Sequence, residues 1–165
     1  QAAEVRERLR RALDVPAGAT SDFDQNGSVP AGLEARPAGV LAAFHEDGRL
    51  LLTKRASGLR HHPGQIALPG GKVDPGETPE AALIRELHEE LGIETWSSCL
   101  APLTFASHSY DSFHLLMPLF ACRRWGGIPM PREGQTLAWV RGENLCDYPM
   151  PQADIPLIPA LREWI

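Results

Sequence analysis

Glu86, Glu89 and Glu90 stand at i, i+3 and i+4. On a helix that spacing projects all three carboxylates from one side of the cylinder. Like charges so placed repel by a few tenths of a kcal/mol per pair, and withdrawal from water adds to the penalty unless a cation neutralises them. Hard, oxygen-only donors select Mg²⁺, with Mn²⁺ as a substitute, whereas zinc favours His or Cys. Magnesium also keeps coordination positions open for water and for substrate phosphate oxygens. The same residues fit a solvated acidic face with Arg85 as its ion-pair partner, because charge runs on helices are usually solvated.

The preceding loop favours the metal reading. Pro69-Gly70-Gly71 and Pro75-Gly76-Glu77 form a turn-rich segment that delivers a fourth carboxylate, Glu77, to the helix start. Gly70 and Gly71 let backbone N–H groups approach an anionic substrate closely. The helix is well bounded: Thr78 caps it, Pro79 takes the first helical position, Glu80 complements the dipole and Gly92 closes it after Leu91. These signals predict a helix over 79–91.

Residues 71–93, GKVDPGETPEAALIRELHEELGI, fit the pattern G-x5-E-x7-R-E-U-x-E-E-x-G-U, with U a bulky apolar residue, at every fixed position. The segment resembles the Nudix box. The resemblance implies an α/β fold, the Nudix α/β/α sandwich with a mixed β-sheet, and a substrate containing a nucleoside-linked diphosphate. It also implies metal-ligand roles for Glu86, Glu89 and Glu90, with Glu77 and Arg85 setting loop geometry and charge balance. Mg²⁺ ions bridging carboxylates and diphosphate would neutralise developing charge and acidify the attacking water. Glu133, in PREGQ, resembles the glutamate before Gly-Gln in MutT-like Nudix enzymes, which implies an extra metal ligand or general base. As a plain loop carboxylate it would sit in solvent.

The flanks of the box resemble different branches of the family. Residues 51–71, LLTKRASGLRHHPGQIALPGG, resemble the signature of coenzyme A diphosphatases, with Leu68 in place of the expected Phe. The resemblance implies that Arg55 and Arg60, beside Lys54, His61 and His62, grip the extra phosphate of coenzyme A. SDFDQN, near the N-terminus, is similar to the same branch. From Leu83 onward the chain resembles MutT proteins, which hydrolyse oxidised purine nucleoside triphosphates such as 8-oxo-dGTP. Asp154, in PQADIP, falls where those relatives keep an Asn or Asp that reads the purine edge; a carboxylate accepts from base N–H donors but cannot donate. Asp154 also fits an N-cap for a helix starting at Pro156. Phe113, Met117 and Trp139 fit either a base pocket or the core. The Gly-Lys loop ending in Trp-Glu-Phe that MutT proteins carry before Pro-Gly-Gly is absent. A switch of resemblance inside the shared helix fits a recombinant or engineered chimera as well as mosaic natural divergence.

Three functions follow as expectations. The first is Mg²⁺-dependent cleavage of an oxidised purine nucleoside triphosphate to monophosphate and pyrophosphate. The second is cleavage of coenzyme A to 3′,5′-ADP and 4′-phosphopantetheine. The third, a nucleotide-binding module without turnover, has no need of so many carboxylates.

The chain must supply the elements that place these groups. Its 165 residues, against about 150 per domain, make one domain with a sizeable core. Residues 1–36 read as an N-terminal helix and arm, and 37–165 as the Nudix hydrolase domain. A net charge of -5 leaves phosphate binding to a local basic patch or a metal, and disfavours a nucleic-acid polymer as partner. Cys99, Cys122 and Cys146 lack C-x-x-C spacing, which fits a reducing compartment. The absence of a long apolar run or signal-peptide pattern makes a membrane partner unexpected and a cytoplasmic protein the expectation. A homodimer is left open.

Val5, Leu9 and Leu13 mark an amphipathic helix over 2–13, followed by a Gly- and Pro-rich arm over 14–36. Apolar runs at 38–44 and 50–53 flank Glu46-Asp47-Gly48 and predict a β-hairpin. A basic loop over 57–64 leads to a short strand over 65–68, which Pro69-Gly70-Gly71 is expected to break. Strands are expected over 99–105, 113–123 and 136–140, and a helix over 156–164.

Overall fold

The computed structural model describes residues 34–56 and 64–164. The helix expected over 2–13, most of the arm over 14–36, and Arg60, His61 and His62 lie outside the described residues. The elements are β1 (Glu34–Ala43), β2 (Leu50–Lys54), β3 (Ile66–Ala67), β4 (Gly70–Lys72), α1 (Pro79–Leu91), β5 (Leu100–Ser109), β6 (Phe113–Cys122), β7 (Thr136–Val140) and α2 (Ile158–Glu163). One sheet runs β4-β1-β6-β5 and the other β3-β2-β7. β1 lies parallel to β6, whereas β4 and β5 pair antiparallel at the two edges. This mixed pairing is the one expected of the α/β class.

The inner halves of β1 and β6 explain the central position of both strands. From Ala38 onward every residue of β1 is buried, on both faces, the pattern of a strand with packed layers above and below. Val40, Ala42, Leu119 and Ala121 face one cluster with Leu50, Leu52, Leu157 and Leu161. Leu41, Ala43, Phe120 and Cys122 face the other, built on Leu83, Leu87 and Leu91 of α1. Helices thus cover opposite sides of the strands, giving the α/β/α layering. Among the described residues no helix is long and apolar enough to cross a membrane.

α1 occupies the expected residues. Thr78 Oγ1 accepts from the Ala81 N–H at 3.2 Å, and Gly92 closes the helix at φ 69 with its N–H on the His88 carbonyl. These are the cap geometries that Thr and Gly favour.

The hairpin expectation is corrected. The turn forms, with Gly48 at φ 84 and the His45 N–H on the Arg49 carbonyl at 2.8 Å. Pairing nevertheless stops at a single Phe44–Leu50 bridge. Beyond it β1 is flanked by β4 and β6 while β2 pairs with β7 and β3, so the turn is a corner between two sheets. Burial on both faces draws β1 to the sheet centre, and local turn chemistry cannot hold β2 beside it.

Pro69-Gly70-Gly71 does not simply end a strand either. Gly70 and Gly71 form β4, opposite Val40 and Gly39. A Cβ at Gly70 would land on the Gly39 carbonyl, so only glycine lets this edge approach so closely. The strand expected over 99–105 continues to Ser109, where Ser107 and Ser109 Oγ hydrogen-bond Nε2 and Nδ1 of His114 at 2.9 and 2.8 Å. The terminal helix is shorter than expected: Ile155–Leu157 form a 3₁₀ turn before α2. Pro159 lacks the N–H that a continuous α-helix from Pro156 would donate back to the Ile155 carbonyl.

Gly39 sits beneath the start of α1, where an added Cβ would lie 2.8 Å from the Pro79 carbonyl oxygen. Backbone, not a flexible side chain, would have to yield. Gly39→Ala is therefore expected to lower stability by about 1–3 kcal/mol, measured by urea unfolding; an unchanged midpoint would show that this packing is not maintained in solution.

Candidate active site

Arg85 links the glycine loop to the carboxylate face of α1. Its Nε and Nη2 donate to Glu77 Oε1 and Oε2 at 3.0 and 3.1 Å, a two-pronged contact. Nη2 also reaches the Lys72 carbonyl at 3.3 Å, and Nη1 donates to Glu86 Oε1 at 2.7 Å and Glu89 Oε2 at 3.4 Å. Glu77 Oε2 closes the turn by accepting the Asp74 N–H at 3.1 Å. The Arg85 guanidinium, with help from that N–H, holds the Glu77 carboxyl below the usual carboxylate range. In return, Glu77 first and then Glu86 strengthen the hold of Arg85 on its proton.

Glycine at position 71 makes room for Glu86. A Cβ there would collide with the Glu86 carboxyl carbon and lie 2.6 Å from its Cγ. Gly71 thereby brings β4 backbone directly against the acidic face, beside Gly70. The sequence-derived pairing of this loop with α1 is realised as contact.

Glu90 is half-buried, and burial pushes its carboxyl up to about 7. The negative charges of Glu86, Glu133 and Glu89 push the same way, and Arg55 opposes them. These residues therefore share one electrostatic neighbourhood, although they come from the end of β2, from α1 and from the loop before β7. Glu133 is exposed, and its loop lies on the end of α1 through the Arg132 N–H on the Glu90 carbonyl at 3.0 Å. Sequence reasoning passed over its neighbours Arg132 and Gln135, which bond α1 carbonyls; the PREGQ segment was the available signal.

The donor set suits a hard cation chemically, since it is all carboxylate oxygen and Glu90 is held up to about 7 by burial and then by its acidic neighbours. The arrangement is not yet a coordination shell. Among the described residues no group of His, Cys, Asp or Glu converges to hold a metal. Glu86 and Glu89 are turned toward Arg85 instead.

Asp154 lies elsewhere, next to the strand end that leads into the glycine loop. It is only 4% exposed. Its carboxyl accepts from the Leu68 backbone N–H, while Oδ2 is buried without a partner. Burial pushes it up to about 6, against the lowering effect of that N–H. The N-cap reading is corrected: Asp154 precedes the 3₁₀ turn, but its side chain makes no capping bond. Met117 is core beside Leu119, and Trp139 packs with the opposite cluster, stacking on Trp125, so these two cannot line one pocket. Phe113 is half-buried with the Arg36 guanidinium 4.6 Å from its ring centroid. Arg60 lies outside the described residues.

The NUDIX domain pattern matches residues 34–161. The chain is 33% identical over 120 residues to the 8-oxo-dGTP diphosphatase of Escherichia coli strain K12, covering 72% of this chain and 89% of that enzyme. It is 36% identical over 123 residues to the CTP pyrophosphohydrolase of the same strain, covering 73% and 87%. Among solved structures, MutT from a study of Aliivibrio salmonicida and Vibrio cholerae superposes with a TM-score of 0.66 at 30% identity, covering 80% of this chain and all of that one, 100%.

The buried Asp154 carboxyl yields a pH test. Its folded-state proton affinity exceeds that of the unfolded chain, so its stabilising proton is fully present below about pH 4 and is lost as pH rises through about 6. Relative to Asp154→Asn, which cannot ionise, the wild type is expected to lose about 2 kcal/mol between pH 4 and 7. Urea unfolding at stepped pH reads this out. Parallel pH profiles for the two proteins would contradict it.

Proposed function

The chain belongs to the Nudix domain family of hydrolases, and on that premise we propose that it is a Mg²⁺-dependent pyrophosphohydrolase preferring an oxidised purine nucleoside triphosphate, with nucleoside monophosphate and pyrophosphate as products. The observation that carries this reading is the half-buried Glu90 crowded by Glu86, Glu133 and Glu89. Such a site is stabilised when a cation joins it. Magnesium bound by Glu86, Glu89, Glu90 and Glu133 supplies neutralisation of the diphosphate and a more acidic water.

The remaining work falls to the chain's own residues. Glu77 holds Arg85 by two hydrogen bonds and so keeps the glycine loop on the acidic face. Gly70 and Gly71 let the β4 backbone close on Gly39 and on the Glu86 carboxyl, where any Cβ would collide, and glycine backbone N–H groups can approach a phosphate closely. Arg55, close enough to Glu90 to favour its charged form, is placed to pair with a phosphate oxygen. Asp154 Oδ2, buried and unpartnered, supplies an acceptor for the N–H groups of an oxidised guanine edge. The name of the 8-oxo-dGTP diphosphatase relative supports the same substrate class.

The test is a substrate panel. Purified protein, Glu89→Gln and Glu90→Gln are incubated with Mg²⁺ and 8-oxo-dGTP, dGTP, CTP or coenzyme A, and products are identified by mass. Preferential cleavage of 8-oxo-dGTP is expected, with kcat lowered on the order of 100-fold in either variant and unfolding unchanged. Coenzyme A or CTP as the preferred substrate would reassign specificity. Full activity in both variants would remove the carboxylates from the mechanism, and binding without turnover by wild type would make the protein a nucleotide-binding module.

A further inference from the structure

Residues 130–135 end the long connection between β6 and β7 by lying across the last turn of α1. The Met130 N–H donates to the Leu91 carbonyl at 2.9 Å and the Arg132 N–H to the Glu90 carbonyl at 3.0 Å. Arg132 Nη1 donates to the His88 carbonyl at 3.1 Å. Gln135 Nε2 donates to the Glu90 carbonyl at 3.0 Å, while its Oε1 accepts the Glu133 N–H at 2.7 Å. The Glu90 and Leu91 carbonyls belong to the end of a helix, where intrahelical partners run out, and a cation near them and the His88 carbonyl is favoured by the helix dipole. The guanidinium also fills the space over Gly92, where an added Cβ would lie 2.6 Å from Arg132 Nε.

Gln135 is the informative member. Its amide spans the backbones of Glu133 and Glu90, two residues whose carboxylates act on one another. Backbone bonds from Met130 and Arg132 already close the connection onto the helix, so the amide adds a second tie at Glu133 itself. Glu133 adjoins Gly134, whose φ of 76 puts it at a sharp turn. An exposed glutamate on such a turn has no side-chain packing to fix it, and a displacement near 1 Å at a reacting group costs up to about 100-fold in rate.

We propose that Gln135 and Arg132 are positioning residues for hydrolysis, holding Glu133 at a fixed place relative to Glu90 by tying its loop to the end of the carboxylate helix. The proposal rests on the reading of Glu133 as part of the hydrolytic site. Neither residue touches substrate; both act through Glu133.

The experiment compares Gln135→Met and Arg132→Gln, alone and combined with Glu133→Gln, using 8-oxo-dGTP at saturating Mg²⁺. Each single variant is expected to lower kcat about 10-fold with KM changed less than about twofold, and Arg132→Lys to recover part of the loss. In the Glu133→Gln background neither substitution lowers kcat further. In the metal-free protein, exchange of the Glu133 amide is expected to speed up severalfold in Gln135→Met, with the unfolding midpoint unchanged. Full kcat in both variants, losses that multiply with that of Glu133→Gln, or a Glu133 amide that exchanges as in wild type would overturn the proposal. Wild-type activity in Glu133→Gln would overturn it together with the assignment of Glu133, while Glu89→Gln and Glu90→Gln still judge the rest of the site.

Discussion

The two-pronged contact between Arg85 and Glu77 is the constraint on which the site depends. Glu77 stands before the helix and Arg85 two turns into it, so their bond folds the glycine loop back along the acidic face. The same guanidinium touches Glu86 and Glu89, which lets like charges share one face. Without Arg85 the loop loses its anchor and the carboxylates lose their nearby cation. Loop geometry and charge balance are therefore one property of this chain.

A second constraint is the layering that holds α1 in place. Its apolar stripe, Leu83, Leu87 and Leu91, packs on Leu41, Ala43 and Phe120, and this leaves the opposite stripe of carboxylates facing outward over β4. Periodicity thus assigns both functions of the helix at once: one face fixes its position, the other carries charge. The loop before β7 then meets the helix at the end where those charges concentrate. Glu90 is reached from three directions, by its own helix, by Glu133 and by Arg55.

Helix α1, its carboxylate face and its link to the glycine loop were legible because every relevant signal is local. Thr78 and Gly92 set the ends, the i, i+3, i+4 spacing set the face, and the spacing of Gly71, Glu77 and Arg85 set the family pattern. What the sequence did not disclose depends on partners distant along the chain. Gln135 bonds a carbonyl 45 positions away and Arg132 one that is 44 away, and no pattern within the PREGQ segment encodes those distances. The hairpin expectation failed for a related reason: the Asp47-Gly48 turn is real, but β6 and β4 compete for both edges of β1. The contact of Asp154 with Leu68 joins the two flanks that resemble different Nudix branches. The division into branches describes resemblance, and the fold unites them.

Gly39, Gly70 and Gly71 form a patch where backbone meets its neighbours with no side chain between: Gly39 lies under the Pro79 carbonyl, Gly70 over Gly39, and Gly71 against Glu86. Such a floor offers no side chain for selection to vary. Every replacement adds a Cβ into occupied space, so the patch is closed to gradual change. Variation is thereby left to neighbouring positions that already carry a side chain, while the patch itself stays chemically uniform. The contact between β4 and the helix is then the part of the molecule least free to drift, whatever its surroundings become.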